Sequence, residues 1–273
     1  RVDAAVSAPG DQPGAVTLDY MVTENRPWML FAQVSNTGSG STDALREHVG
    51  FIHNDLTRAD DILTVGYQTA NFNDVHQVYA SYDRPLWGSD KVRWKLNASY
   101  YRYLASDVGL PGLDFKGEGW QAGAQLAWNF FQRGDFFVDA LAGLRFEHVR
   151  VDNQPAGTLG ETDFLIPRVA IRAERHRDES RTDAEVGLEW NLPGLAGTDD
   201  TLDALGRSDA DDSFAIVRAE VSHSLYLDAL RDALGAEGNR RHELLLSARA
   251  QHALGARLVP NEQMVAGGLY TVR

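Results

Sequence analysis

The sequence predicts an all-β protein, part of a transmembrane antiparallel β-barrel with about eleven strands present. Three observations carry this. Apolar and polar residues alternate at period two along most of the chain, the mark of a strand with one apolar and one polar face. Several alternating runs reach ten residues or more, against ~5–6 for soluble strands and ~9–11 for a tilted membrane crossing. Large aromatics fall at both ends of an apolar face whose middle is small and aliphatic.

The first alternating stretch is Val16, Leu18, Tyr20 and Val22. Arg26-Pro27 separates it from the rest, so residues 1–27 read as the last strand of a preceding domain with its linker, and residues 28–273 as the barrel. Eleven segments follow, at roughly 28–36, 44–53, 61–70, 75–83, 91–104, 117–131, 135–151, 162–175, 181–192, 213–226 and 242–254. Breakers divide them, among them Asn36-Thr37-Gly38-Ser39-Gly40, Asn71-Phe72-Asn73-Asp74, Arg84-Pro85, Arg133-Gly134 and the stretches 109–112, 152–160 and 193–208. In the sixth segment Trp120, Ala122, Ala124, Leu126, Trp128 and Phe130 share one face, and Gln121, Gly123, Gln125 and Asn129 share the other. In the seventh, Phe136, Val138, Ala140, Ala142, Leu144 and Phe146 oppose Asp139, Arg145 and Glu147. Helical spacing is confined to 227–236, where Leu227, Leu230 and Leu234 suggest a short connector helix.

Such strands fit a soluble sandwich with its apolar face inward or a membrane barrel with that face toward lipid. From Trp120 to Phe130, ten steps of ~3.3 Å give ~33 Å along the strand, or ~25 Å of height at ~40° of tilt, the thickness of an outer-membrane apolar band. Trp120, Trp128 and Phe130 are therefore expected in the membrane girdle, against outer-membrane lipid and lipopolysaccharide. The opposite faces carry both signs of charge: Arg93 and Lys95, then Arg168 and Arg172, then Glu185 and Glu189, then Arg218 and Glu220. These suit a wet, salt-bridged lumen. A soluble protein's surface would look similar, so this face discriminates least, and strand length and aromatic placement favour the membrane barrel.

Hydrophobic residues make up 43% of the 273 and charged residues 24%, a globular composition rather than a disordered one. The net charge of −13, from 39 acids against 26 bases, speaks against general nucleic-acid binding, which needs a basic surface. Cysteine is absent, which excludes disulfides, zinc fingers and thiol nucleophiles. Apolar runs fall short of the ~18 residues of a membrane helix, a limit that says nothing of barrels. Single-chain bacterial barrels have even strand numbers. Eleven strands therefore imply that the first rises from the periplasm, that 255–273 begins an extracellular loop, and that strands follow Arg273. Arg1, with no methionine or signal peptide, likewise reads as a cut end.

Catalytic patterns are sparse. The eight histidines are scattered, without a His-Glu-x-x-His or a Gly-x-Ser-x-Gly elbow, so neither enzyme activity nor a cofactor or metal is expected. His148 near Asp152 and His176 near Glu179 are the rim groupings a barrel enzyme would use, though polar rim residues are the simpler reading. Gly117-Glu118-Gly119 opens a loose dinucleotide fingerprint, but it leads into a strand, which offers no helix N-terminus to phosphate. Asp199, Asp200, Asp203, Asp209, Asp211 and Asp212 lack the glycine and terminal glutamate of a calcium loop and read as a solvated surface loop. Arg133-Gly134-Asp135 reads as a tight turn built on Gly134.

Several runs, taken together and in order, resemble the two-partner secretion translocators, the haemolysin secretion/activation protein family of the POTRA-barrel superfamily. The run 16–26, then Pro27-Trp28 and Phe31-Ala32-Gln33-Val34-Ser35-Asn36-Thr37-Gly38, is similar to the family's passage from its last POTRA domain into the first barrel strand. The likeness continues in His53-Asn54-Asp55-Leu56-Thr57 with Asp60-Asp61, in Ala80-Ser81-Tyr82-Asp83-Arg84-Pro85-Leu86 and in Gln132-Arg133-Gly134-Asp135. It returns in Gly197-Thr198-Asp199, in Ala204-Leu205-Gly206-Arg207 and in Gly267-Gly268-Leu269-Tyr270-Thr271-Val272-Arg273. The resemblance implies a barrel of sixteen strands, with the loop after strand eleven folding back into the lumen. By position, Val272 and Arg273 are the gate-loop motif, whose arginine meets an acidic residue on a later strand in the family. The glycine and aromatic that follow that arginine, and the partner strand, are not in this sequence. It further implies a monomeric outer-membrane barrel that passes a secreted partner protein, unfolded in transit, through its lumen. The alternatives are an outer-membrane assembly factor of the same superfamily, a barrel enzyme and a passive porin.

Overall fold

The structure, a computed structural model, describes residues 2–7, 17–22, 26–37, 43–89, 91–105, 114–177, 179–195, 198–227 and 243–264. Strands β1 (Val2–Ser7) and β2 (Thr17–Val22) pair antiparallel as a separate two-stranded sheet. The alternating stretch before residue 27 is thus a strand, but it has a partner the sequence reading missed. Val2–Ser7 holds two adjacent alanines, so its alternation is faint.

The main sheet holds eleven strands: β3 (Trp28–Ser35), β4 (Arg46–Asn54), β5 (Ile62–Ala70), β6 (Val75–Pro85), β7 (Val92–Ala105), β8 (Phe115–Arg133), β9 (Phe136–Asn153), β10 (Thr158–His176), β11 (Ser180–Trp190), β12 (Ala215–Tyr226) and β13 (Glu243–Ala253). Every strand pairs antiparallel with its chain neighbours, so spatial order is chain order. All eleven expected segments are strands. The expected breaker at 152–160 shrinks to a turn at 154–157, where Gly157 takes a φ of 63°. That lengthens β9 and β10 to 18 and 19 residues; with β8 at 19, all three run well past the ~9–11 of a bare crossing.

Because all pairings are antiparallel and adjacent, alternation stays in phase from strand to strand. Ala124 faces Leu144, which faces Pro167; one step along, Gln125 faces Gly143, which faces Arg168. On β8 the odd residues from Gln121 to Asn129 are half-buried, while Trp120, Ala122, Ala124, Leu126 and Trp128 are exposed. Phe130 sits at a register shift between Asn129 and Phe131, so both phenylalanines are exposed beside Trp128.

The expected connector helix lies mostly at 228–236, outside the described residues. A helix forms elsewhere. In the β11–β12 connection, α1 (Asp199–Asp203) begins a segment the sequence reading gave wholly to solvent. Asp200, Asp203, Asp209 and Asp211 do face solvent, but Leu202, Leu205 and Ala210 between them, and Phe214 after them, are buried. They pack on Val149, Val151, Phe164, Ile166 and Ile216 of the sheet. In the sequence the acids dominate any local count and mask the apolar residues set among them. The polar face is therefore not polar throughout: its end near the β9–β10 turn is a dry apolar seat.

Glycines set two kinds of close approach. Phe31 lies across from Gly50, Tyr79 from Gly66 and Tyr103 from Gly117, and a Cβ on each glycine would stand 2.2 Å from the facing ring. The rings lie flat over bare backbone. A Cβ on Gly160 would instead meet the backbone of Ala204 and Leu205 at 2.7 and 2.8 Å. Gly160→Ala is expected to unseat the α1 segment and cost about 1–3 kcal/mol, because a helix end cannot turn aside. Gly66→Ala is expected to cost less, since the Tyr79 ring can swing away. Thermal unfolding of the purified full-length protein, followed by gel mobility with and without heating, ranks the two; equal losses contradict the seating argument.

Candidate functional site on the charged face

The same phase that sets the apolar face stacks arginines and glutamates on the other. Arg168 on β10 faces Glu189 on β11, and Arg172 faces Glu185. Arg168 pairs with Glu185 and, at 3.1 Å, with Glu189; Arg172 meets Glu185 at 2.9 Å. Glu189, largely buried, is the hub. Arg218 of β12 lies 3.2 Å from it, and Arg145 of β9 lies 3.8 Å away while also pairing with Glu147. Cross-strand glycines make room: Arg145 faces Gly123, Arg168 faces Gly143 and Arg218 faces Gly187.

The segment after β13 returns over this lattice. Glu262, 1% exposed, accepts from Arg145 at 2.9 Å and from Arg218 at 3.0 Å. Its carbonyl accepts from Gln251 at 2.6 Å. Asn261 donates to the Tyr101 hydroxyl on β7 at 2.7 Å. Side chains stand off the sheet, and β7 lies five strands from β12, so one dipeptide meets both because the sheet curls with its charged face concave. Farther back, Leu258 and Val259 join the apolar seat, and the Leu258 carbonyl accepts from Arg207 at 3.1 Å. Asp211 and Arg257 bond each other through two contacts, of 2.8 and 2.5 Å. The runs Ala204-Leu205-Gly206-Arg207 and 256–264, far apart in sequence, thus lock together. Sequence reading missed Glu262 because one glutamate ending a 3-10 turn (Pro260–Glu262) carries no pattern of its own.

Of the other candidates, Arg93 lies outside the lattice. It bonds Asp83 and Asp60 at 2.6 Å each, fastening the β4–β5 turn. In that turn, burial pushes the Asp61 carboxyl up, but the Thr57 amide and hydroxyl, both at 2.9 Å, outweigh it and hold the group below its ordinary range. Lys95 is exposed, opposite Asp83 and Gln125. Glu220 pairs with Arg249 at 2.8 Å, both half-exposed. Trp120, Trp128 and Phe130 are 43, 54 and 47% exposed on the opposite face. Val272 and Arg273 lie outside the described residues.

At the opposite end of the sheet, Gly134 takes a φ of 60° in the two-residue β8–β9 turn. The guanidinium groups of Arg177 and Arg175 hold the neighbouring Asp135 carboxyl below its ordinary range. The two histidine groupings differ from expectation. His148 bonds Asp163 at 2.8 Å rather than Asp152, because these residues face each other across β9 and β10. His176 lies near Glu174 and Asp183 rather than Glu179. Glu174, His176 and Asp183 bring ligand atoms within 4.8 Å of one another, but Asp183 already accepts twice from Arg181, at 2.8 and 3.1 Å.

The profile of the haemolysin secretion/activation proteins ShlB/FhaC/HecB matches residues 14–273. The chain belongs to this family. No curated protein sequence matches it. Among solved structures, CdiB from Escherichia coli matches with a TM-score of 0.72 at 17% identity, over 100% of this chain and 48% of that one. CdiB from Acinetobacter baumannii matches at 0.64 and 15%, again over 100% and 48%. BamA from Haemophilus ducreyi lacking POTRA domains 1–3 matches at 0.58 and 16%, over 100% and 50%. The likenesses show the fold, and the chain spans about half the length of these structures. As a haemolysin secretion/activation family member it is part of an outer-membrane β-barrel.

The lattice yields an ordered set of stabilities. Glu189→Gln strips the charge on which three arginines converge and is expected to cost about 1–3 kcal/mol. Glu220→Gln breaks an exposed pair and is expected to cost less than about 1 kcal/mol. Thermal midpoints of the two purified variants are the measurement, and a reversed order refutes the hub assignment.

Proposed function

We propose that the full protein is a two-partner secretion translocator: a secreted partner protein crosses the outer membrane unfolded, through the lumen faced by this lattice. The single observation behind the reading is the return of 256–264 across the charged face, in a chain of this family. A segment so placed occupies the path a passenger would take. Charges of both signs, already paired to one another, give a wet wall without a deep binding site. No nucleotide or cofactor chemistry enters, and folding of the cargo outside supplies direction. In this reading 1–27 end a POTRA domain, 255–273 belong to an extracellular loop, the barrel acts as a monomer, and Arg273 with Val272 forms the gate motif. Trp120, Trp128 and Phe130 face lipid at the edges of the apolar band, and lipopolysaccharide covers the outer one. BamA's fold likeness keeps barrel assembly as the second reading.

Two outcomes follow. In the full-length protein, Arg273→Ala is expected to abolish or strongly reduce export of a candidate secreted partner that the parent protein exports, while leaving the barrel folded; unchanged export removes the gate assignment. Leu126→Arg is expected to weaken folding into lipid vesicles by about 2–4 kcal/mol, as for a charge at mid-bilayer. Gln125→Arg, one residue away on the other face, is expected to be nearly neutral. Equal costs would mean that the two faces are not lipid and lumen.

A further inference from the structure

The lattice is unbalanced without the returning segment. Direct ion pairs join four strand-borne arginines, Arg145, Arg168, Arg172 and Arg218, to three strand-borne glutamates, Glu147, Glu185 and Glu189. Asp139, next along the wall, is bonded by Asn129 at 2.7 Å and stands outside this network. Within this set of direct pairs the arginines outnumber the strand-borne glutamates by one, and the Glu262 carboxylate supplies the fourth acid. The position of the excess is specific. Arg145 and Arg218 each spend part of their guanidinium on Glu147 or Glu189 and turn another nitrogen toward the same point, where the Glu262 carboxylate sits. A half-paired guanidinium in a confined site is costly without an anion, and a buried carboxylate is costly without a cation.

We propose that Arg145 and Arg218 form a carboxylate-binding socket on the inner wall, and that Glu262 fills it in cis as the latch of the returning segment. The ligand class is a single carboxylate side chain. Neutral Gln263 and Asn261 flank Glu262, so the charge, and not the general polarity of the segment, selects the seat. Asn261 on Tyr101 and Gln251 on the Glu262 carbonyl fix the segment's direction; the socket fixes whether it stays. Withdrawal of Glu262 bares a cationic site in the bore. The proposal deepens the transport reading and rests on it only for the statement that the seated segment blocks a passage.

The test reads the latch without any passenger. Tyr101→Cys and Asn261→Cys are introduced together into full-length protein carrying no other cysteine, and a short bismaleimide reports the seated segment. Efficient cross-linking is expected with Glu262 in place. Glu262→Gln is expected to shift the seated-to-withdrawn ratio by on the order of tenfold, the effect of losing one charge-assisted contact. Glu262→Asp is expected to retain most of the cross-link. Adding Arg145→Gln to Glu262→Gln is expected to lower it little further, because Arg145 reaches the segment only through the Glu262 carboxylate, whereas Arg218 also holds the Glu262 carbonyl at 3.1 Å. Heat-dependent gel mobility verifies that each barrel is folded. Because Glu262→Gln alters only the segment and no strand, it is the deciding variant. Cross-linking as strong in folded Glu262→Gln as in its parent overturns the socket. Export of the partner by the protein with Glu262 intact is scored separately; its failure overturns the transport reading and leaves the socket standing.

Discussion

Antiparallel pairing between sequence neighbours is the constraint on which the rest of this structure depends. A strand alternates its side chains between two faces, and a slip of one residue exchanges them. Here each strand of the main sheet pairs with its chain neighbours in that sheet, so a single choice of face spreads through eleven strands. Leu126, Ala142 and Val169 fall in one row, and Gln125, Gly143, Arg168 and Glu189 in the adjacent one. The ionic lattice is a consequence of that phase. Arginines and glutamates scattered between positions 145 and 218 become neighbours because register brings their rows together.

Glycine makes such rows compact. Where a ring or a guanidinium must lie along the wall, the facing residue is often glycine: Phe31 over Gly50, Tyr79 over Gly66, Arg218 opposite Gly187. The missing Cβ lets a large group lie against backbone and keeps the bore from filling. At Gly160 the same device admits a whole segment, and the α1 end closes on the strand backbone. Curling makes these local fits into an enclosure. The charged face becomes concave, and residues from β7, β9 and β12 reach one short stretch of chain, Asn261 and Glu262.

The two ends of the charged face differ in what holds them. Near the β9–β10 turn, Phe164, Ile166 and Phe214 are buried with the α1 segment, so stability there is hydrophobic and is not screened by salt. Midway, the Glu189 hub works in a partly wet site where desolvation and attraction nearly offset each other. The returning segment is tied to both, by Leu258 and Val259 to the first and by Glu262 to the second. In the proposed latch the two ties play different parts. The ionic half can be exchanged for water or another carboxylate, while the apolar half favours return.

Period-two alternation in the sequence by itself determined the eleven strands of the main sheet and the two faces of each, because that signal is local and needs no knowledge of neighbours. Trp120, Leu126 and Trp128 declare one face; Arg168, Glu185 and Glu189 declare the other. It left the partner of β2 unseen, since an alanine-rich strand alternates weakly. It gave 199–212 to solvent because charge outweighs two leucines in any local count. Only the tertiary structure decided which charges meet, that Arg93 fastens a turn rather than joining the lattice, and that Glu262 belongs to the site at all. Those outcomes depend on register and curvature, which bring residues more than a hundred positions apart to within 3 Å, and no window along the chain contains them.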